Sequence, residues 1–221
     1  MAKRFENQVA LITGASRGIG YATAQALAAE GAHIVAVART VGGLEELADV
    51  VEAVGGAITL VPLNITDDPG LQRLCAAVYE RWGRADMWLH TAVHSPPLTP
   101  ATQVQEKDLD KSLAISIRAF QRLVTMVDPL LRAAPAGRAV ILTEDTPGKP
   151  FNAGIGAAKA AQAAIAASWQ AETARTGPKV TLHTPPATPT AHRARSFPGE
   201  DRAGLTPLED VAVGIVEVFG G

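Results

Sequence analysis

Cysteine is almost missing from the 221 residues: Cys75 is the only one. No intramolecular disulfide can form, no thiolate cluster can bind zinc, and a reducing, cytoplasmic setting is expected. Tyrosine is nearly as scarce, with Tyr21 and Tyr79 the only two. An excess of positive charge is also lacking, since 20 Lys and Arg face 22 Asp and Glu for a net charge of -2. That balance gives no general basic field for nucleic acid or an anionic membrane, so a small-molecule partner is expected. No uninterrupted apolar run is long enough to span a bilayer. After Lys3 and Arg4 the chain continues "FENQ" rather than into an apolar stretch, so no secretory leader is expected. No metal is expected either, because no cysteine or carboxylate stands at persuasive ligand spacing from His90 and His94.

What the chain does have is alternation. Hydrophobic residues make up 47% of it, enough for one well-packed core. Six short β-rich runs, "QVALIT", "AHIVAV", "AITLVPL", "ADMWLH", "RAVILT" and "KVTLHT", are each too brief for a typical helix and read as strands. Helical patterns lie between them. One runs from Ile19 to Glu30 and stops at Gly31, and another runs from Gly43 to Val54 and stops at Gly55. A third starts at a cap on Asp67 or Asp68 and reaches about Trp82. The apolar spacing Leu109, Leu113, Ile117, Phe120, Val124, Val127 and Leu131 predicts a long helix over about 105–133. Strand and helix in strict turn imply right-handed crossovers, and so an α/β doubly wound parallel sheet with helices on both faces. The expected organisation is a single domain over residues 1–221. Residues 184–207, rich in Pro, Thr, Arg and Gly, form the longest irregular segment and are read as a lid-like loop within it.

The most informative motif is "TGASRGIG", Thr13 to Gly20, between the first strand and first helix. Gly14, Gly18 and Gly20 allow a tight turn and a close approach of a pyrophosphate to the free N–H groups of the helix end. Their spacing differs from the G-x-G-x-x-G fingerprint. This motif, the six-strand alternation and Lys159 in a helix after the fifth strand together resemble the short-chain dehydrogenase/reductase family, along nearly the whole chain. The resemblance implies a Rossmann fold, a nicotinamide cofactor, and contacts to it from Gly14, Ser16, Arg17, Gly18, Ile19 and Gly20. It also places Asn64 and Ile65 at the adenine edge, where aspartate is usual in place of Asn64. Lys159 falls at the nicotinamide ribose and Pro185 and Thr190 near the nicotinamide. The strand typical of the family's carboxyl end has no counterpart after "VFGG".

Charge selects between the two nicotinamide dinucleotides. The second strand ends in "VART", where Ala38 supplies no carboxylate to accept from a ribose 2′-hydroxyl. Arg39 and Arg17 instead offer two cations for a 2′-phosphate, so NADP(H) is the expected cofactor. The alternative is that either arginine is simply solvated.

The resemblance also shows what the reaction centre is missing. Family reduction of a carbonyl uses a tyrosine as acid, a lysine that favours its phenolate, a serine, and an asparagine behind a proton-relay water. Aligned on Lys159, the tyrosine position holds Ile155, which has no exchangeable proton. Glu144 falls at the serine, with Thr143 there after a one-residue shift, and Ser116 falls at the asparagine. Where the family has Asn-Asn-Ala-Gly, this chain reads "HTAV" from His90. His90 and His94 are either acids or, more simply, a structural hydrogen bond and a loop residue. Glu144 is free to pair with Lys159, or the lysine keeps only its ribose contact. His192, Arg193 and Arg195 are either ligands for an anion or part of a solvated lid. The expected protein is NADP(H)-binding and catalytically impaired or non-catalytic; the alternative is an active oxidoreductase of a small carbonyl or alcohol with a non-standard proton donor. A homodimer is expected through the helices at about 105–133 and 153–175, with Ala157, Ala158, Ala161 and Ala164 permitting close approach. The missing strand is expected to weaken any second interface.

Overall fold

The computed structural model describes residues 3–221. Six parallel strands form one sheet in the order β3-β2-β1-β4-β5-β6. They are β1 (Val9–Thr13), β2 (His33–Ala38), β3 (Ala57–Pro62), β4 (Met87–His90), β5 (Arg138–Leu142) and β6 (Lys179–His183). Each coincides with the run predicted for it, β2 alone reaching one residue further, to Ala38. Side chains alternate along a strand, so β1 sends Val9 and Leu11 into one apolar layer and Ala10 and Ile12 into the other, all four buried. The fold is therefore the expected doubly wound α/β sheet with helices on both faces.

Helices α1 (Gly18–Ala29) and α2 (Val41–Ala53) follow β1 and β2. Helix α3 (Asp68–Trp82) is capped by Asp67, whose carboxylate accepts from the Gly70 N–H at 3.2 Å. Of the two aspartates considered, Asp67 is the cap. The predicted long helix runs unbroken from Glu106 to Arg132, its α-helical parts α4 (Glu106–Leu113) and α5 (Phe120–Arg132) being joined by a π-helical turn over Ala114–Ala119. Such a turn inserts an extra residue and re-phases the buried face. Ile115, Ser116, Ala119 and Phe120 are consequently all buried within six residues. Helix α6 (Ala153–Thr173) buries Ile155, Ala158, Lys159, Gln162, Ala166, Trp169 and Thr173 along one stripe. Because Ala158 is fully buried inside the protomer, it is not available to a partner; Ala157 and Ala164 are exposed.

Residues 184–207 are less irregular than expected. They contain α7 (Ala191–Ser196), capped by the Thr190 hydroxyl accepting from the Arg193 N–H at 3.0 Å, and a short 3-10 turn over Arg202–Gly204. Arg193 donates to both carboxylate oxygens of Glu200 and its guanidinium lies over Phe197. Local capping and this brace explain how a Pro- and Gly-rich segment holds a shape. Helix α8 (Leu208–Gly220) follows and packs against α1. Among the described residues, no helix is long and apolar enough to cross a membrane, and no cluster of three or more His, Cys, Asp or Glu is placed to hold a metal.

Candidate active site

The sheet order reverses between β1 and β4, and a crevice opens at the carboxyl ends of strands on either side of such a reversal. Here it is a cleft of about 750 Å³ lined by the β1–α1 turn, the ends of β2 to β6 and α7. Gly14 has a φ of +96°, and a Cβ there would lie 2.4 Å from the Thr91 hydroxyl and 2.8 Å from the Ala92 nitrogen. A Cβ on Gly20 would lie 2.4 Å from the Gly14 carbonyl oxygen. The turn is thus folded tightly on itself, and Thr91 locks it by donating toward the carbonyls of Thr13 and Gly14, each at 3.1 Å. No side chain caps the first turn of α1, so its backbone donors remain for a ligand.

Around this turn the structure brings together every cofactor-side residue expected from the sequence. Gly14, Ser16, Arg17, Gly18, Ile19, Gly20, Arg39, Asn64, Ile65, Lys159, Pro185 and Thr190 all line the one cleft. Arg17 and Arg39 are both exposed, and neither guanidinium has a hydrogen-bond or ion-pair partner among the described residues. Asn64 closes its own short turn by accepting from the Thr66 N–H at 3.3 Å. The 184–207 segment reaches the glycine turn, since a Cβ on Gly18 would touch the Thr190 methyl at 3.4 Å.

The reaction half is arranged differently from expectation at several points. Ile155 lines the cleft but is only 5% exposed, so it presents an apolar wall where a donor would be needed. Lys159 is buried, and its Nζ donates to the Leu142 carbonyl at 3.1 Å and to Gln162 Oε1 at 3.0 Å. Burial pushes its ammonium below the ordinary lysine value, against an opposite pull from Glu144. No ion pair joins Lys159 to Glu144 among the described residues. Glu144 pairs instead with His192, whose Nε2 is 3.2 Å from Glu144 Oε2. Burial pushes the Glu144 carboxyl up, but the His192 hydrogen bond and the charges of Lys159 and His192 outweigh it and hold the group low. Ser116 is buried in the π-helical turn, and Thr143 bonds to the Thr184 hydroxyl at 2.7 Å. Arg193 and Arg195 are already engaged, with Glu200 and with the Ser95 carbonyl at 2.9 Å.

The histidines of "HTAVH" separate. His90 is sealed in the core against Trp88 and Phe120, with Nδ1 2.8 Å from the Thr13 hydroxyl and no partner on Nε2. Burial, with the Lys159 charge adding, pushes it down to about 3, so at neutral pH it is uncharged. His94 sits 3.3 Å from Asp108 at the cleft wall. Sequence reading missed Ser95, whose hydroxyl bonds to His192 Nδ1. Positions 95, 144 and 192 have no sequence spacing to betray them; the only signal was that all three follow carboxyl ends of neighbouring strands.

Residues 8–201 match the family model for short chain dehydrogenases. The chain belongs to this family. An uncharacterised oxidoreductase of Staphylococcus epidermidis is 32% identical over 187 residues, which is 84% of this chain and 79% of that protein. A glycine betaine reductase of Emericella nidulans is 29% identical over 220 residues, 95% of this chain, yet the chain spans only 17% of that relative's length. Among solved structures, an Escherichia coli protein assigned to the short chain dehydrogenases and complexed with NADPH superposes with a TM-score of 0.92 at 23% identity. The superposition covers 100% of this chain and 94% of that one. At this identity the likeness speaks for the fold.

Proposed function

We propose that this chain is an NADP(H)-binding short chain dehydrogenase whose phenol-assisted carbonyl chemistry is lost. The fit to a dinucleotide rests on the cradle at Gly14 and Gly20, where any Cβ would collide with backbone, beside the uncapped end of α1. Gly14, Ser16, Arg17, Gly18, Ile19 and Gly20 would surround the pyrophosphate, Arg17 and Arg39 the 2′-phosphate, and Asn64 and Ile65 the adenine. Lys159, Pro185 and Thr190 would meet the nicotinamide end, and the whole would act as one domain under the 184–207 lid. When bound, the dinucleotide would supply or accept a hydride. The observation that carries the impairment is the buried Ile155 beside a Lys159 already satisfied by Leu142 and Gln162. General acid–base assistance contributes about 10²–10⁴-fold, so ordinary carbonyl substrates should turn over slowly even with cofactor bound. A cytoplasmic homodimer, with Ala157 and Ala164 on its shared face, remains part of this reading.

A titration of the protein with NADPH and NADH, followed by single-turnover reactions against a carbonyl panel, tests it. NADPH is expected to bind more tightly, with reduction slow. Equal affinities, or robust turnover indifferent to replacement of Lys159, would overturn it. A second reading, an oxidoreductase with a replacement donor, is supported by one specific observation: the carboxylate–imidazole contact of Glu144 and His192.

A further inference from the structure

Three polar side chains from three separate segments meet in the reaction half of the cleft. Ser95 follows β4, Glu144 follows β5, and His192 rides on the lid helix α7; all three line the cleft together with Ile155 and Lys159. The His192 ring spans the other two, with Nδ1 on the Ser95 hydroxyl and Nε2 3.2 Å from Glu144 Oε2. Arg195, one turn further along the same helix, donates to the Ser95 carbonyl at 2.9 Å and so ties that loop to the lid a second time.

The donor inventory fixes the direction of this chain. Glu144 is held low and ionised, and an ionised carboxylate can only accept, so His192 Nε2 carries a proton. Nδ1 then accepts from Ser95 in the neutral ring and donates to it in the imidazolium. A hydroxyl has one proton and two lone pairs, so Ser95 can accept from His192 while donating to another oxygen. That is the arrangement of a proton relay, and it lines the same cleft as Ile155, which has no proton to give.

We propose that the Ser95 hydroxyl is the acid–base group of this cleft, recharged by His192, with Glu144 fixing the ring tautomer. The proposal rests on the second reading above and concerns small aldehydes and ketones. With a dihydronicotinamide in the cleft to supply hydride to the carbonyl carbon, the C=O π pair would move onto oxygen, and that oxygen would take the Ser95 proton. The Ser95 oxygen takes the Nδ1 proton of the imidazolium, His192 is left neutral, and water reprotonates it. Glu144 stays ionised throughout, and the net change is consumption of one carbonyl, one reduced cofactor and one proton to give an alcohol. Ser95 is the catalytic residue in this scheme; His192 and Glu144 act through it.

The test uses the full chain with NADPH and 4-nitrobenzaldehyde, alongside ¹⁵N-histidine NMR of the protein without cofactor. The unmodified protein is expected to show slow, measurable reduction. Ser95→Ala should lower kcat by about 10²-fold with NADPH affinity and KM little changed, while Ser95→Thr should keep most of the rate. In the NMR arm, His192 should show a single Nε2-protonated tautomer whose Nδ1 signal moves in Ser95→Ala and whose tautomer mixes in Glu144→Gln. No reduction by the unmodified protein, an unchanged rate in Ser95→Ala, or a His192 ring indifferent to both substitutions would overturn the relay. If NADPH still binds in those cases, only the relay falls; if NADPH fails to bind the unmodified protein, the dinucleotide reading falls with it.

Discussion

The two halves of the sheet treat the same cleft in opposite ways. On the β1–β3 side the recognition surface is made of backbone: a turn so tight that Gly14 and Gly20 leave no room for a Cβ, and a helix end with free donors. On the β4–β6 side the cleft is lined by side chains instead, among them Ser95, Glu144, Ile155, Lys159 and His192. Backbone recognition survives drift in the residues around it as long as the glycines stay. Acid–base chemistry is more fragile, because an alkyl side chain at position 155 has no exchangeable proton to give. Ile155, almost fully buried, contributes about 1.5–3 kcal/mol of apolar burial to that lining. In the proposed reading, one substitution moves position 155 from chemistry into packing.

The largest expected effect comes from undoing that exchange. A combined Ser116→Asn, Glu144→Ser and Ile155→Tyr variant should raise NADPH-dependent carbonyl reduction by about 10²–10⁴-fold. Ile155→Tyr alone should gain much less, since Ser116 and Glu144 would still stand at the family's asparagine and serine positions, and the larger ring carries an overpacking cost of about 1–3 kcal/mol at a buried site. Circular dichroism and retained NADPH affinity establish that the variant is folded. A folded, cofactor-binding triple variant no faster than the original would break the contrast between the halves.

A smaller effect measures what the reaction half costs in stability. His90 is held neutral, with its value lowered from 6.5 to about 3 by burial and by Lys159. Between those two values the unfolded chain binds a proton that the folded chain does not, so stability must fall as the pH drops through that window. Each pH unit below 6.5 costs about 1.4 kcal/mol, or about 2 kcal/mol by pH 5. Urea midpoints at pH 7 and pH 5 should show this drop, and His90→Asn should shrink it. An identical drop in the variant would assign the acid sensitivity to other groups.

How much of this was legible beforehand follows the same division. All six strands could be read, because buried parallel strands are short continuous apolar runs and β1 is buried along its entire length. The glycine turn was legible because its function is local in sequence, eight residues doing one job. The meeting of Ser95, Glu144 and His192 was not, since contacts between residues 48 and 97 apart in sequence are decided by how the 184–207 segment folds back. The pairing of Lys159 was missed for a related reason: Gln162, one turn along α6, satisfies it from within the same helix and leaves Glu144 to the lid. The π-helical turn was also hidden, because Leu109 to Leu131 keeps steps of three and four on both sides of it.

The smallest predicted effect sharpens the cofactor half alone. Arg39 directly follows β2, exposed and without a partner among the described residues, and Arg17 lines the same cleft in the same condition. Two unpaired cations on one rim attract a dianionic 2′-phosphate and gain little from a ribose hydroxyl. A hydrogen bond to a charged group contributes about 1.5–3 kcal/mol net, and exposure pulls that toward the lower end. Arg39→Asp should therefore weaken NADPH binding by about tenfold while leaving NADH unchanged or slightly tighter, since the new carboxylate can accept from the 2′-hydroxyl. The preference should narrow with rising salt in the unmodified protein and not in the variant, because exposed charge pairs are screened. Fluorescence titrations at two ionic strengths read both effects. A variant that keeps the full NADPH preference would move the phosphate away from Arg39 and leave Arg17 to account for it.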